Sequence, residues 1–72
     1  MEKEIHFSSR GRSGNIYYIL GMVSQEFRKQ RRYTDFNNLR DQVFEAESYE
    51  EALKIIGKQI PLHDDSTGKE YN

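Results

Sequence analysis

A mostly helical α+β fold is predicted by three features of the sequence. Three segments repeat apolar residues at three- and four-residue steps, the spacing of one helix face. Near the start, Ile5-His6-Phe7-Ser8 alternates apolar and polar residues, as a half-buried strand does. Gln59-Ile60-Pro61-Leu62 is apolar but interrupted by proline, so it reads as extended. The 72 residues make one small domain over 1–62, followed by a flexible polar tail over 63–72.

Residues 1–4 are charged and expected to fray. In the strand that follows, Ile5 and Phe7 face inward and His6 faces solvent. A lone strand is not viable. Its expected partner is a second short strand near 59–62, or the same strand of another copy.

The loop Ser8-Ser9-Arg10-Gly11-Arg12-Ser13-Gly14-Asn15 opens the principal helix, expected from Ile16 to about Arg32. Ser13 is the expected N-cap, its hydroxyl accepting a first-turn N–H. Gly14, Asn15 and Ile16 would then present free N–H groups at the positive end of the helix, a place that suits phosphate or carboxylate. Arg10 and Arg12 add forked, charged donors. Arg10, Gly11, Arg12, Ser13, Gly14 and Asn15 thus form a candidate anion site, with Tyr17 and Tyr18 as surfaces on which a base can stack. An ordinary capping turn with two solvated arginines gives the same pattern. No Gly-Lys-Ser/Thr follows at the required spacing, so the loop is not a Walker-type phosphate-binding loop.

Ile16, Ile19, Leu20, Val23 and Phe27 make the inward stripe of this helix, with Tyr18 and Met22 on the opposite side. Gly21 costs about 1 kcal/mol against alanine in a helix interior, which a close backbone crossing would explain. The helix ends in Arg28-Lys29-Gln30-Arg31-Arg32, where its dipole favours cations. Arg28, Lys29, Arg31 and Arg32 are also the candidate contacts for nucleic acid.

Thr34 is the expected cap of a second helix bearing Phe36, Leu39, Val43 and Ala46 inward, with Phe44 at the edge. Ser48-Tyr49-Glu50-Glu51 matches a capping box and opens a third helix with Ala52, Leu53, Ile55 and Ile56 inward. Glu50 and Lys54 stand four residues apart, as a favourable pair does. Gly57 weakens the end of this helix and Pro61 stops the pattern. Residues 63–72 have almost no apolar anchor and are expected to be mobile.

Composition narrows function more than it names it. With no cysteine, the chain has neither disulfides nor thiol catalysis. A core this small often needs a metal or a partner chain, and a homo-oligomer is expected. No apolar run is long enough to span a bilayer, so no membrane role is expected. The net charge of −1 conceals a polarised chain. Residues 10–40 carry seven basic side chains against Glu26 and Asp35, or +5. Residues 41–70 carry eight acidic ones against Lys54, Lys58 and Lys69, or −5. His6 and His63 lie at opposite ends of the sequence, and no serine has a histidine and an acid in any recognisable order. No enzyme is predicted. His63-Asp64-Asp65 matches no closed metal-site spacing and is placed on the tail, so neither a metal nor another cofactor is expected.

Gly14-Asn15-Ile16-Tyr17-Tyr18-Ile19-Leu20-Gly21, the basic helix end, and Ala46-Glu47-Ser48-Tyr49-Glu50-Glu51-Ala52-Leu53 together resemble small proteins of bacteriophages and other mobile elements. The resemblance covers about residues 5–62. It implies an interaction protein working in the cytoplasm of a bacterial host. The expected function is non-enzymatic inhibition of a bacterial defence system. The chain would bind a host protein or sequester a phosphate-bearing nucleotide signal at the Gly/Arg loop. The alternative is a small nucleic-acid-binding regulator that uses the basic end of the first helix.

Overall fold

A computed structural model of the chain describes residues 4–72. The expectation of fraying over 1–4 lies mostly outside these residues. The architecture is the predicted α+β, mostly helical. It runs β1 (Ile5–Phe7), a single 3-10 turn (Arg12–Gly14), α1 (Ile16–Lys29), α2 (Tyr33–Phe44), α3 (Tyr49–Gly57), β2 (Leu62–Asp64) and β3 (Glu70–Tyr71).

The strands form one sheet in the order β1-β2-β3, with β2 central. β1 runs parallel to β2, pairing Ile5 with Leu62, His6 with His63 and Phe7 with Asp64. β3 returns antiparallel, setting Tyr71 opposite Leu62 and Glu70 opposite His63. Because side chains alternate along a strand, Ile5, Phe7, Leu62 and Tyr71 share the buried face, while His6, His63 and Glu70 share the outer one.

Two helices, α1 and α3, cover the inner face, and α2 packs against both of them. Ile19, Leu20, Val23 and Phe27 of α1, Leu39 and Val43 of α2, Ala52, Leu53 and Ile56 of α3, and Ile60 join the inward sheet residues in one core. The predicted stripes thus become the core. Ile16, Phe36, Ala46 and Ile55 are only partly buried at its margin. Met22, expected on the outer side of α1, also packs against this margin. The Cα radius of gyration, 11.2 Å, is that of a compact chain of this length, about 11 Å.

Several local expectations are corrected. The segment 63–72 is not a mobile tail. It supplies two residues of β2 and all of β3, and Asp64 and Tyr71 are buried. Its polar sequence orders because Asp64 organises a turn: Ser66 N–H and Thr67 Oγ1 donate to the carboxylate at 2.9 and 3.0 Å, and Gly68 N–H to the Asp64 carbonyl at 2.7 Å. The second strand therefore lies at 62–64, beyond the proline, and not over 59–62.

Ser13 does not cap α1. The 3-10 turn over Arg12–Gly14 delays the helix, and Asn15 takes the cap, its Oδ1 accepting from Tyr17 N–H at 2.8 Å. α1 also ends earlier than expected. Arg31 adopts φ 58°, Arg31 N–H reaches the Arg28 carbonyl, and Arg32 N–H reaches the Phe27 carbonyl. These are the two bonds of a Schellman C-cap, here made with arginine where glycine is usual. Arg32, not Thr34, then occupies the N-cap position of α2, without a side-chain capping bond.

Ser48 caps α3 as predicted, accepting from Glu51 N–H at 3.1 Å. Glu51 reaches back one residue further than a regular capping box, to Glu47 N–H. Glu50 turns away from Lys54 for its hydrogen bonds and takes them from Lys69 and Tyr71 Oη. Gly21 faces open space and supports no backbone crossing. Gly57 does have such a crossing, because a Cβ there would stand 2.8 Å from the Tyr71 backbone.

Candidate functional site, a basic cleft between the first two helices

The Gly/Arg loop is built mainly to hold itself. Gly11 N–H donates to the Ser8 carbonyl, Gly14 N–H to Gly11 and Asn15 N–H to Arg12. Ser13 Oγ accepts from Ser8 N–H at 2.8 Å. Ser9 N–H goes to Asp64 Oδ1 and Arg10 N–H to Ser66 Oγ. Ser8 Oγ also hydrogen-bonds Ser66 Oγ. Gly14 is buried against the carbonyls of Ser8 and Ser9, where a Cβ would come within 2.7 Å. The Gly14 carbonyl accepts from Tyr49 Oη at 2.5 Å. Most amides expected to meet an anion are therefore spent inside the chain, joining the loop to the 64–66 turn and to α3.

The Arg10 and Arg12 side chains are exposed and make no hydrogen bond or ion pair with the described residues. Tyr17 and Tyr18 are also exposed, at 69% and 50%. Tyr17 is not free-standing, since its ring leans on Phe44 with centroids 5.9 Å apart. Tyr17 and Phe44, both exposed, thus form an aromatic pair on the surface of α1 and α2.

A concavity lies at the other end of α1, roughly 20 Å away along fourteen residues. There α1 and α2 diverge from their short connection and leave a cleft of about 250 Å³. Phe27 and Phe36 lie at its base, their rings edge to face at 6.2 Å. Arg28, Arg32 and Arg40 surround it, with Tyr33, Asn37 and Ser24 completing the wall.

Helix geometry explains the convergence. Ser24 and Arg28 stand four residues apart on α1, and Tyr33, Asn37 and Arg40 follow at four- and three-residue steps on α2, so each set shares one face. The Schellman turn then sets these two faces beside one another.

The three guanidinium groups are not equivalent. Arg32 is fixed: Nε donates to Asp35 at 3.0 Å, Nη1 to Gln30 and Nη2 to Gln59, both at 3.2 Å. Its Cζ lies 4.3 Å over the Phe27 ring. Arg40 meets only Asp41, at 3.7 Å, and Arg28 makes no hydrogen bond or ion pair among the described residues. The cleft thus has one immobilised cation and two guanidinium forks with donors to spare. Guanidinium matches the paired oxygens of phosphate or carboxylate. Tyr33, 57% exposed, offers a ring at the rim.

Of the residues predicted for nucleic-acid contact, Arg28 and Arg32 meet in this cleft. Lys29 lies outside it and pairs with Glu26 at 3.5 Å, and Arg31 points its exposed side chain from the turn. Tyr33, Asn37 and Arg40 were not recognised as site residues in the sequence. Their four- and three-residue spacing was the available signal, but without the turn geometry nothing related it to Arg28.

No known protein family, curated protein or solved structure matches the chain. Among the described residues no helix is long and apolar enough to cross a membrane.

Proposed function

We propose that the chain is a non-enzymatic binding module that grips a phosphate-bearing ligand in the α1–α2 cleft. The observation that carries this reading is the placement of the Arg28 and Arg40 guanidiniums beside the clamped Arg32, around a base of Phe27 and Phe36. Forked cations over an apolar base suit a ligand with an anionic end and a flat, weakly polar body. The cleft, at about 250 Å³, is slightly below the usual range of roughly 300–1,000 Å³ for small-molecule sites. A nucleotide held by its phosphates, with its base against Tyr33, fits that description better than a long duplex. A duplex would also meet the repulsion of the acidic half of the chain.

The likeness of residues 5–62 to small phage proteins supplies a setting. There, sequestering a nucleotide signal would need only binding, and it would disarm a host defence. Arg10 and Arg12 of the Gly/Arg loop, with Tyr17 and Tyr18, are the proposed contact for a host protein.

Calorimetric titration with a nucleoside diphosphate tests the reading. Saturable binding is expected, weakened about tenfold or more by Arg28→Ala or Arg40→Ala, as loss of a charge-assisted bond implies. Arg10→Ala and Arg12→Ala should leave it intact. Binding that depends on Arg10 or Arg12 and ignores Arg28 and Arg40 would restore the Gly/Arg loop as the site. Binding to duplex DNA alone, falling steeply with salt, would favour the nucleic-acid regulator.

A further inference from the structure

The outer face of the sheet joins the two histidines that the sequence separates. Parallel pairing sets His6 beside His63, with ring centroids 5.1 Å apart. Asp65 follows β2 directly, and its N–H donates to the Phe7 carbonyl at 2.7 Å, which ties it to β1. Its Oδ1 lies 3.0 Å from His6 Nδ1 and 3.6 Å from His63 Nε2. One ligand atom from each of the three residues falls within 4.8 Å of the others.

We propose that His6, His63 and Asp65 form a binding site for a borderline divalent cation such as zinc. This inference is independent of the α1–α2 cleft.

Three features point to a ligand set and away from a simple surface ion pair. The first is spacing. Bonds of about 2.0–2.1 Å from zinc put tetrahedral ligand atoms about 3.4 Å apart. The two distances at Asp65 Oδ1 bracket that value. The second is the far side of each ring. Glu70 Oε1 stands 3.3 Å from His63 Nδ1, and Glu4 Oε1 stands 3.4 Å from His6 Nε2. Carboxylates in those positions orient metal-bound imidazoles and fix their tautomers. With the cation on His6 Nδ1 and His63 Nε2, the ring protons rest on His6 Nε2 and His63 Nδ1, facing Glu4 and Glu70.

The third feature is rigidity and charge. Both histidines sit on paired strands, and the turn bearing Asp65 is held through its buried neighbour Asp64. Three carboxylates, of Glu4, Asp65 and Glu70, around the two imidazoles make the patch attractive to a cation. Three protein ligands leave a fourth position for water or another donor. The bound ion would also join β1 to β2, near the two ends of a chain that has no disulfide.

The test uses full-length, tag-free protein and zinc ion alone, followed by calorimetry and thermal unfolding. One ion per chain is expected, together with a rise in Tm that grows with free zinc. Cobalt substitution should give the visible bands of a low-symmetry site. His6→Ala and His63→Ala should each remove saturable binding. Both side chains lie on the outer face, so circular dichroism can verify that these variants fold. Glu70→Gln, which leaves the three ligands in place, should weaken affinity about 10–100-fold. Absence of saturable binding to the folded wild-type chain would overturn the proposal. So would undiminished affinity in His6→Ala, which would move the ion to Glu4, His63 and Glu70.

Discussion

Asp64 shows how one residue can decide whether a segment folds. It is 2% exposed, and its carboxylate accepts from Ser9 N–H, Ser66 N–H and Thr67 Oγ1. Burial pushes its pKa up, but the bonds from Ser9, Ser66 and Thr67 outweigh that and hold it at about 2. Asp64→Ala would strand these donors and is expected to lower stability by about 2–4 kcal/mol in urea unfolding. The sign of the pH effect follows. The folded-state pKa is depressed, so the stabilisation is complete above the ordinary value near 3.8 and is lost as pH falls towards 2. Asp64→Asn should flatten that acid limb. Asp64-Asp65-Ser66-Thr67-Gly68 reads in the sequence as part of a polar, mobile tail, which the ordered turn overturns. Its burial was not legible, because the donor from Ser9 comes from the other end of the chain and no local period announces it.

At the scale of elements, the helices were legible and their ends less so. A period of three and four residues marks Ile19, Leu20, Val23 and Phe27 without tertiary knowledge, and these residues are the core of α1. Caps depend on a single residue's dihedral angles. Asn15 displaced Ser13 because a 3-10 turn intervened, and Arg31 in the left-handed region ended α1 where sequence preference would have sought glycine. The two glycines of α1 and α3 make opposite predictions. Gly21→Ala meets nothing within 4 Å and should add about 1 kcal/mol of stability. Gly57→Ala would drive a methyl into the Tyr71 backbone and should cost about 1–3 kcal/mol as α3 and β3 are forced apart. Chemical denaturation of both variants checks the pair. Similar shifts of one sign would contradict this account of α3–β3 packing.

At the scale of the molecule, the sheet is assembled from the chain's two ends, and the histidine site follows from that topology. β2 and β3 complete the inner face through Leu62 and Tyr71, so a chain truncated after Leu62 should lose cooperative thermal unfolding, as a flexible tail would not require. The sheet's outer face collects the histidines, while the far end of α1 collects the arginines. The charge polarity was visible in the sequence, and it correctly placed cations at the end of α1. The loop at residues 10–15 drew attention because glycine and arginine cluster there. Its Arg10 amide is taken by Ser66, and the amides of Gly11, Gly14 and Asn15 by carbonyls of the neighbouring turn, partners distant in sequence or dependent on its fold.

The most direct test of the central claim is a residue-resolved NMR titration of the full chain with a nucleoside diphosphate. Saturable shifts should converge on Arg28, Tyr33, Asn37 and Arg40, with guanidinium signals of Arg28 and Arg40 sharpening as they engage phosphate. Shifts confined to residues 10–18, or an unchanged spectrum at saturating ligand, would contradict a phosphate-gripping cleft between α1 and α2.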